Sequence, residues 1–262
     1  MFDDDFTLIA YRGGAGERPE NTECAFEHAL SLSDRIVLDL DVRLTRDGVP
    51  VVIHDELLER TTDGSGPVCE RSLAEVERLD AGYRFEAGDD DFPFRGQGLQ
   101  VPTLSHILQR FPAARFNVDI RADDVDHPAK IVRTIEEQGA ADRVIMVSEH
   151  DRMIATCRRL RPDWQYGAPM GEVRKIVFAS KLRLQRLVST AADIFMIPET
   201  HNQMRVLDER LLHELHRRGK KVWVWIINEN ADVERLRAQG VDGVFTEFPQ
   251  RIVSGVKQAA KL

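Results

Sequence analysis

The sequence predicts an α/β protein built on a parallel sheet with helical crossovers. Short apolar runs rich in β-branched residues alternate strictly with amphipathic stretches, and eight such pairs fit within 262 residues. Eight units in a chain of this length make a closed (β/α)8 barrel the economical arrangement. A doubly wound open sheet satisfies the same alternation, so periodicity alone leaves both standing.

The elements follow in order. Residues 7–11 make the first strand, and the PENT segment at 19–22 opens a helix over 23–31. The second strand, 36–42, begins with the apolar run Ile36-Val37-Leu38. Runs at 115–120, 143–147, 165–168, 194–197, 222–227 and 243–246 supply six more strands. Helical patterns occupy 103–110, 128–138, 151–160, 171–188, 207–217, 231–239 and 249–257. Residues 43–102 break the rhythm within a single domain spanning 1–262. They hold a hairpin over 43–55 with Asp47-Gly48 at its turn, a short helix near 73–79, and the segment AGDDDFPFRGQG. That insertion is too long for an ordinary βα loop. Its place after the second strand predicts a position over the C-terminal mouth, where barrel active sites form. A passive surface excursion is the plain alternative, and His54 near the hairpin's end argues against it.

Composition narrows the function. An apolar fraction of 42% and a charged fraction of 31% fit a soluble globular chain. A net charge of −8 argues against a nucleic-acid or anionic-membrane binder, while leaving room for a local basic pocket. Cys24, Cys69 and Cys157 are scattered without CxxC spacing and read as reduced packing residues. The start, MFDDDF, lacks the basic and apolar parts of a signal peptide, and no run is long enough for membrane insertion. The expectation is a cytoplasmic protein; the oligomeric state leaves no mark in the sequence.

The chemistry concentrates at strand ends. Asp39 and Asp41 lie two apart on the second strand and share a face. Neighbouring carboxylates repel unless a cation or proton separates them, and an oxygen-only set suits Mg²⁺ or Ca²⁺ better than zinc. On spacing alone, an exposed acidic strand end that binds nothing is the simpler account. Asp119 ends the third strand with Asn117 and Arg121 on one face, giving three hard oxygen donors at one rim. Arg12 and Arg121 are the best phosphate ligands, since a guanidinium fork matches two phosphate oxygens. Arg12 can also pair with Glu20, which is expected to orient its neighbours. His54 is the strongest proton donor, because an imidazole titrates near neutrality. His150 and His201 follow strands and are weaker candidates; the helical histidines are solvated or packed. The Gly13-Gly14-Ala15-Gly16 run lacks the spacing of a dinucleotide loop.

These segments together resemble the glycerophosphodiester phosphodiesterase family. That family carries His-Arg-Gly, Pro-Glu-Asn-Thr, Glu-x-Asp-Val and a hairpin ending in His-Asp. The matching text is YRGGAGERPENT, then LDLDVRLTRDGVPVVIHDELLERTTDGSG, and the likeness continues in LDAGYRF, VPTL, NVDIR, WIIN and VDGVFTEFP. It spans almost the whole chain. The resemblance implies a single (β/α)8 TIM barrel, with Asp39, Asp41 and Asp119 as ligands of a divalent cation and Trp225 lining the pocket. It implies hydrolysis of a small-molecule glycerophosphodiester to sn-glycerol 3-phosphate and an alcohol.

The departures matter as much. Both family glutamates are aspartates here, Asp39 and Asp119, and the family's lysine is Arg121. The family's first catalytic histidine is Tyr11. A phenol with a pKa of about 10 is a poor base unless strongly perturbed, as a metal and two arginines would perturb it. Otherwise it donates a hydrogen bond while a water activated by the cation attacks. Three outcomes stay open: a working hydrolase, a catalytically impaired homologue that keeps phosphate binding, and a phospholipase D-like lyase forming a cyclic phosphate.

Overall fold

The computed structural model describes residues 6–88, 90–121 and 127–259. Residues 1–5, read above for a leader, and Asp89 of the AGDDDFPFRGQG segment lie outside them. The strands in chain order are β1 (Thr7–Ala10), β2 (Val37–Leu44), β3 (Pro50–Val52), β4 (Arg115–Ile120), β5 (Val144–Val147) and β6 (Gln165–Tyr166). They continue as β7 (Ile194–Ile197), β8 (Thr200–His201), β9 (Met204–Arg205), β10 (Lys221–Val224) and β11 (Gly243–Thr246). The parallel neighbours run β6-β5-β4-β2-β1-β11-β10-β7. A parallel bridge between Gly167 and Ile194 joins the two ends, with Ala168 N–H donating to Ile194 O at 2.8 Å. The sheet therefore closes into a (β/α)8 barrel, and the open-sheet alternative falls away.

Alternation along β2 and β4 sorts the side chains. Leu38, Leu40, Val42, Phe116, Val118 and Ile120 point outward into an apolar layer beneath the helices. The intervening residues face the barrel axis: Val37 at the base, then Asp39, Asp41, Asn117 and Asp119 towards the mouth. The lower interior is a small apolar plug of Ile9, Val37, Ile145, Ile194, Trp223 and Phe245. Trp223 meets Phe245 edge-on at 6.0 Å between centroids. Gly243 makes room for that indole, since a Cβ there would come within 2.9 Å of it and 2.6 Å of Thr7 O.

The helices are α1 (Glu23–Leu32), α2 (Leu73–Val76), α3 (Leu104–Arg110), α4 (His127–Glu137), α5 (Asp151–Leu160), α6 (Met170–Lys181), α7 (Glu209–Arg217), α8 (Asn230–Ala238) and α9 (Pro249–Ala259). Thr22, Thr103 and Asp208 cap α1, α3 and α7 through side-chain oxygens. Among the described residues no helix is long and apolar enough to cross a membrane. The three cysteines are free.

Two expectations need correction, and one further element appears. α6 stops at Lys181 rather than continuing to 188, because Arg183 adopts a left-handed φ of 61°. β10 ends at Val224, and Ile227 N–H turns to Phe245 O at 2.8 Å instead of extending the β10–β7 ladder. A hairpin, β8–β9, follows β7; its turn residues Asn202 and Gln203 both have positive φ, the geometry of a tight two-residue loop.

Within residues 43–102, β3 returns antiparallel along the mouth end of β2, pairing Val42 with Val52 and Leu44 with Pro50. The excursion carries its own small core of Val51, Ile53, Leu58, Val68, Val76, Ala81 and Val101. It delivers His54 beside the barrel rim.

Trp223 is fully buried in the plug, so its loss leaves a large cavity. Trp223→Ala should cost about 3–5 kcal/mol, read from the urea midpoint at unchanged m-value. A cost below about 1 kcal/mol would show that the plug is not what holds the barrel closed.

Candidate active site

β1 leads directly into Tyr11 and Arg12, and Arg12 sits in the left-handed region at φ 50°, ψ 34°. That conformation turns the Arg12 N–H to Asp39 Oδ2 at 3.2 Å. The Arg12 carbonyl accepts from Asn21 N–H at 2.9 Å, tying the PENT segment to the same spot. Arg12 Nη1 donates to Glu20 Oε1 at 2.9 Å, Nη2 donates to the Tyr11 hydroxyl at 2.7 Å, and Nε lies 3.4 Å from Asp41 Oδ2. Asn21 is also left-handed, at φ 59°. Its amide donates to Asp41 Oδ2 at 2.9 Å, and its carbonyl oxygen accepts from Asp41 N–H at 3.2 Å.

Asp39, Asp41 and Asp119 face one rim, and each is engaged by protein. Asn117 Nδ2 donates to Asp39 Oδ1 at 2.7 Å. Arg121 bridges the other two: Nε donates to Asp41 Oδ1 at 2.7 Å, and Nη2 lies 3.0 Å from Asp119 Oδ2. Burial alone would raise Asp41, but Arg121 and Arg12 outweigh it and hold the group below the usual carboxylate range. Among the described residues, no arginine side chain hydrogen-bonds to Asp39. Burial first, then repulsion from Asp41, pushes it up to about 7. Burial likewise lifts Asp119 to about 6, with Asp41 and Glu149 adding to the rise and Arg121 opposing it.

Tyr11 is held in its neutral, protonated form. Burial outweighs the Arg12 charge and pushes the phenol up to about 12. Arg121, Asp119, Asp39, Asn117, Tyr11 and Trp225 all line one cavity of about 560 Å³. His54 does not; it faces a small separate crevice with Glu20 and Asn21. Its Nδ1 lies 2.5 Å from Asp55 Oδ1. Burial depresses the imidazole pKa, partly offset by Asp41 and Asp55. Trp223 belongs to the barrel plug, so the two indoles are separated cleanly. His201 lines the large cavity and His150 a neighbouring one.

In donor chemistry the rim suits a hard divalent cation. It offers oxygen ligands only, Asp119 Oδ1 is buried without a hydrogen-bond partner, and Asp39 and Asp119 carry charge that nothing nearby fully balances. In geometry the set is not closed. Among the described residues no three His, Cys, Asp or Glu groups converge closely enough to hold an ion, and the Arg121 guanidinium spans Asp41 and Asp119.

Sequence reasoning passed over several participants. Asn21 was visible only as part of PENT, although an Asn tolerates the left-handed backbone found there. Arg60 donates to Glu20 at 2.7 and 2.8 Å and also pairs with Asp55, whose carboxyl falls to about 2 because these contacts outweigh burial. Nothing in its local pattern signalled a link across forty residues. Ser148 and Glu149, just past β5, also line the cavity.

Asp39 gives a pH test with a definite sign. Its folded pKa, about 7, exceeds the ordinary 3.8, so the folded state holds the extra proton and loses stability as pH rises through that window. In chelator-treated protein, Asp39→Asn should flatten the fall in urea midpoint between roughly pH 4 and 7, a change on the order of a few kcal/mol. A slope identical to wild type would assign the uncompensated charge elsewhere.

Comparison with known proteins adds a family to this geometry. Residues 12–251 match the model of the glycerophosphoryl diester phosphodiesterase family. A glycerophosphodiester phosphodiesterase of Caldanaerobacter subterraneus is 32% identical over 259 residues, covering 96% of this chain and 98% of the relative. Among solved structures, an Oleispira antarctica phosphodiesterase in complex with the product sn-glycerol-3-phosphate superposes with a TM-score of 0.76 at 26% identity, covering 96% of each chain. The glycerophosphoryl diester phosphodiesterase domain of a Mycobacterium tuberculosis protein shares the fold at a TM-score of 0.83 and 22% identity, covering 97% of this chain and 100% of that one. A match that begins at the rim arginine and reaches the start of the last helix puts this chain in the glycerophosphoryl diester phosphodiesterase family, a family of phosphoric diester hydrolases.

Proposed function

We propose that this chain hydrolyses glycerophosphodiesters to sn-glycerol 3-phosphate and an alcohol, with a divalent cation held by Asp39, Asp41 and Asp119. The observation that carries the reading is the rim itself. Asp39, Asp119 and Arg121 line the floor of a cavity, and Asp41, held by Arg121 and Arg12, lies directly behind them, a combination suited to a phosphodiester and a hard cation. The product named for the Oleispira relative fits the same reading.

Each side chain then has a task. The bound cation would polarise a phosphoryl oxygen and stabilise charge gathering on phosphorus. Arg121 keeps Nε on Asp41 and Nη2 near Asp119, and its remaining N–H groups are offered to the phosphate when substrate enters. Arg12 stays with Asp41 and Glu20 and presents its remaining edge. His54, its Nδ1 on Asp55, offers Nε2 for proton transfer to the leaving alkoxide. Tyr11 is a donor rather than a base: Arg12 already donates to its oxygen, which leaves the phenolic proton for a phosphoryl oxygen.

The high pKa of Tyr11 favours one second reading, a phosphodiester-binding homologue with impaired turnover. Wild type should show weak, metal-dependent hydrolysis of glycerophosphocholine, abolished by His54→Ala and raised at least about tenfold by Tyr11→His. Tyr11→Phe reports on the hydroxyl: retained rate makes it inert. If only Tyr11→His turns over, the impaired-homologue reading stands for this chain.

Arg121 is tested through product. Arg121→Ala should weaken inhibition by sn-glycerol 3-phosphate about tenfold or more, in line with losing a charged hydrogen-bond partner. An unchanged inhibition constant would move the phosphate away from Arg121.

A further inference from the structure

The negative charge of the chain is spread unevenly. From Val173 to Ala192 there is no aspartate or glutamate, while Arg174, Lys175, Lys181, Arg183 and Arg186 supply five cations. This stretch covers most of α6 and the connector that leads to β7. Its inner side is fixed. Ile176 and Val177 pack into the apolar layer that holds Phe195 and Leu211, and Arg218 Nη2 donates to Gln185 O at 2.6 Å. Its outer side stands in water: Phe178 is 68% exposed, Leu182 53%, Leu184 47% and Leu187 80%. Arg174, Phe178 and Leu182 follow at intervals of four, so cation and apolar groups share one face.

Most of these cations are unpaired. Arg174, Lys175 and Arg183 have no ion-pair partner among the described residues. Arg186 lies 3.9 Å from Glu214, whose carboxylate already meets Arg217 at 2.8 Å and Arg218 at 2.7 Å. Lys181 is the exception, with Asp208 at 2.6 Å.

Four large apolar side chains held out from a pinned backbone mark an interaction surface. The interleaved cations narrow its chemistry. A second copy presenting the same face would set these cations against one another. A nucleic acid would meet the cations and leave the leucines uncovered. A lipid surface meets both: anionic headgroups match the guanidinium and ammonium groups, and leucine and phenylalanine enter the acyl boundary beneath.

We propose that the outer face of α6 and its connector, residues 174–187, docks this protein on an anionic phospholipid surface. Among the described residues no helix is long and apolar enough to cross a membrane, so the contact is made by one face lying on the surface. The net charge of −8 does not oppose it, because the attraction acts within a Debye length and the patch is what meets the headgroups. Phe178 also lines the large cavity, so docking holds one wall of that cavity at the lipid boundary. The proposal is independent of turnover and stands or falls apart from the hydrolase reading.

Sedimentation with sucrose-loaded vesicles tests it. Wild type should bind vesicles of phosphatidylglycerol and phosphatidylcholine in equal parts at least about tenfold more tightly than phosphatidylcholine alone, and added salt should weaken that binding. Two double variants change exposed side chains that do not line the candidate active site: Leu184→Asp with Leu187→Asp, and Lys175→Glu with Arg183→Glu. Each pair should lower affinity for the mixed vesicles at least about tenfold at an unchanged urea midpoint. Where a pair lowers the midpoint, the single variants Leu187→Asp and Lys175→Glu replace it, each expected to lower affinity about threefold or more. Equal binding to both vesicle types, binding to neither, or affinity unchanged in the variants overturns the proposal. A wild-type dimer that Leu184→Asp with Leu187→Asp dissolves, with mixed vesicles left unbound, gives the face to a second copy and overturns it as well.

Discussion

Everything at the mouth depends on balancing carboxylates that β2 forces inward. Period-two geometry gives Asp39 and Asp41 no choice of face, and burial makes each negative charge expensive. Asp41 is compensated from both sides by Arg12 and Arg121. Arg12 can reach it only because the chain after β1 takes a left-handed turn that also lends its N–H to Asp39. Asn21 takes a similar turn and spends both ends of its amide on Asp41. The local backbone strain of two residues is thus explained by one pair of buried charges.

The compensation extends outward as a chain of ionic contacts. Arg12 meets Glu20, Glu20 meets Arg60, Arg60 meets Asp55, and Asp55 holds His54. This chain joins the barrel rim to a histidine that arrives on a separate hairpin. Its outer members are partly exposed, so each contact adds little to stability and its value lies in orientation. The inner pairs differ. Removing either arginine would strand a carboxylate in a site that water cannot fully reach. Positioning of His54 and neutralisation of the rim are therefore one system.

Much of this was legible in the residues alone. Alternation placed the eight parallel strands and the inward face of Asp39, Asp41, Asn117 and Asp119, because strand geometry admits one answer once the apolar outward set is known. The hairpin after β2 announced itself through Asp47-Gly48. The β8–β9 hairpin gave no such signal, with two-residue strands and an Asn-Gln turn. β6 was legible as the run at 165–168, although it has only two ladder residues and the barrel closes there through a single bridge at Gly167. The hidden part of the site has a different origin. Pairings such as Arg60 with Glu20, or Arg121 across two carboxylates, depend on side-chain reach and rotamer, which spacing does not encode. α6 shows a further limit. Its helical pattern does not say what each face meets, and only the fold reveals that part of it borders an open trough.

Tyr11 shows how burial decides between roles that sequence leaves open. Two arginines near a phenol argue for a lowered pKa, and Arg12 does pull in that direction. Yet the side chain is largely buried against the barrel plug, and Asp39 and Asp41 add negative potential, so the neutral form is favoured up to about pH 12. A neutral phenol that already accepts from Arg12 has its own proton left to give. Tyr11 is therefore a fixed hydrogen-bond donor at all ordinary pH values. It can steady an oxygen that gains charge, and it cannot take a proton from one that loses it.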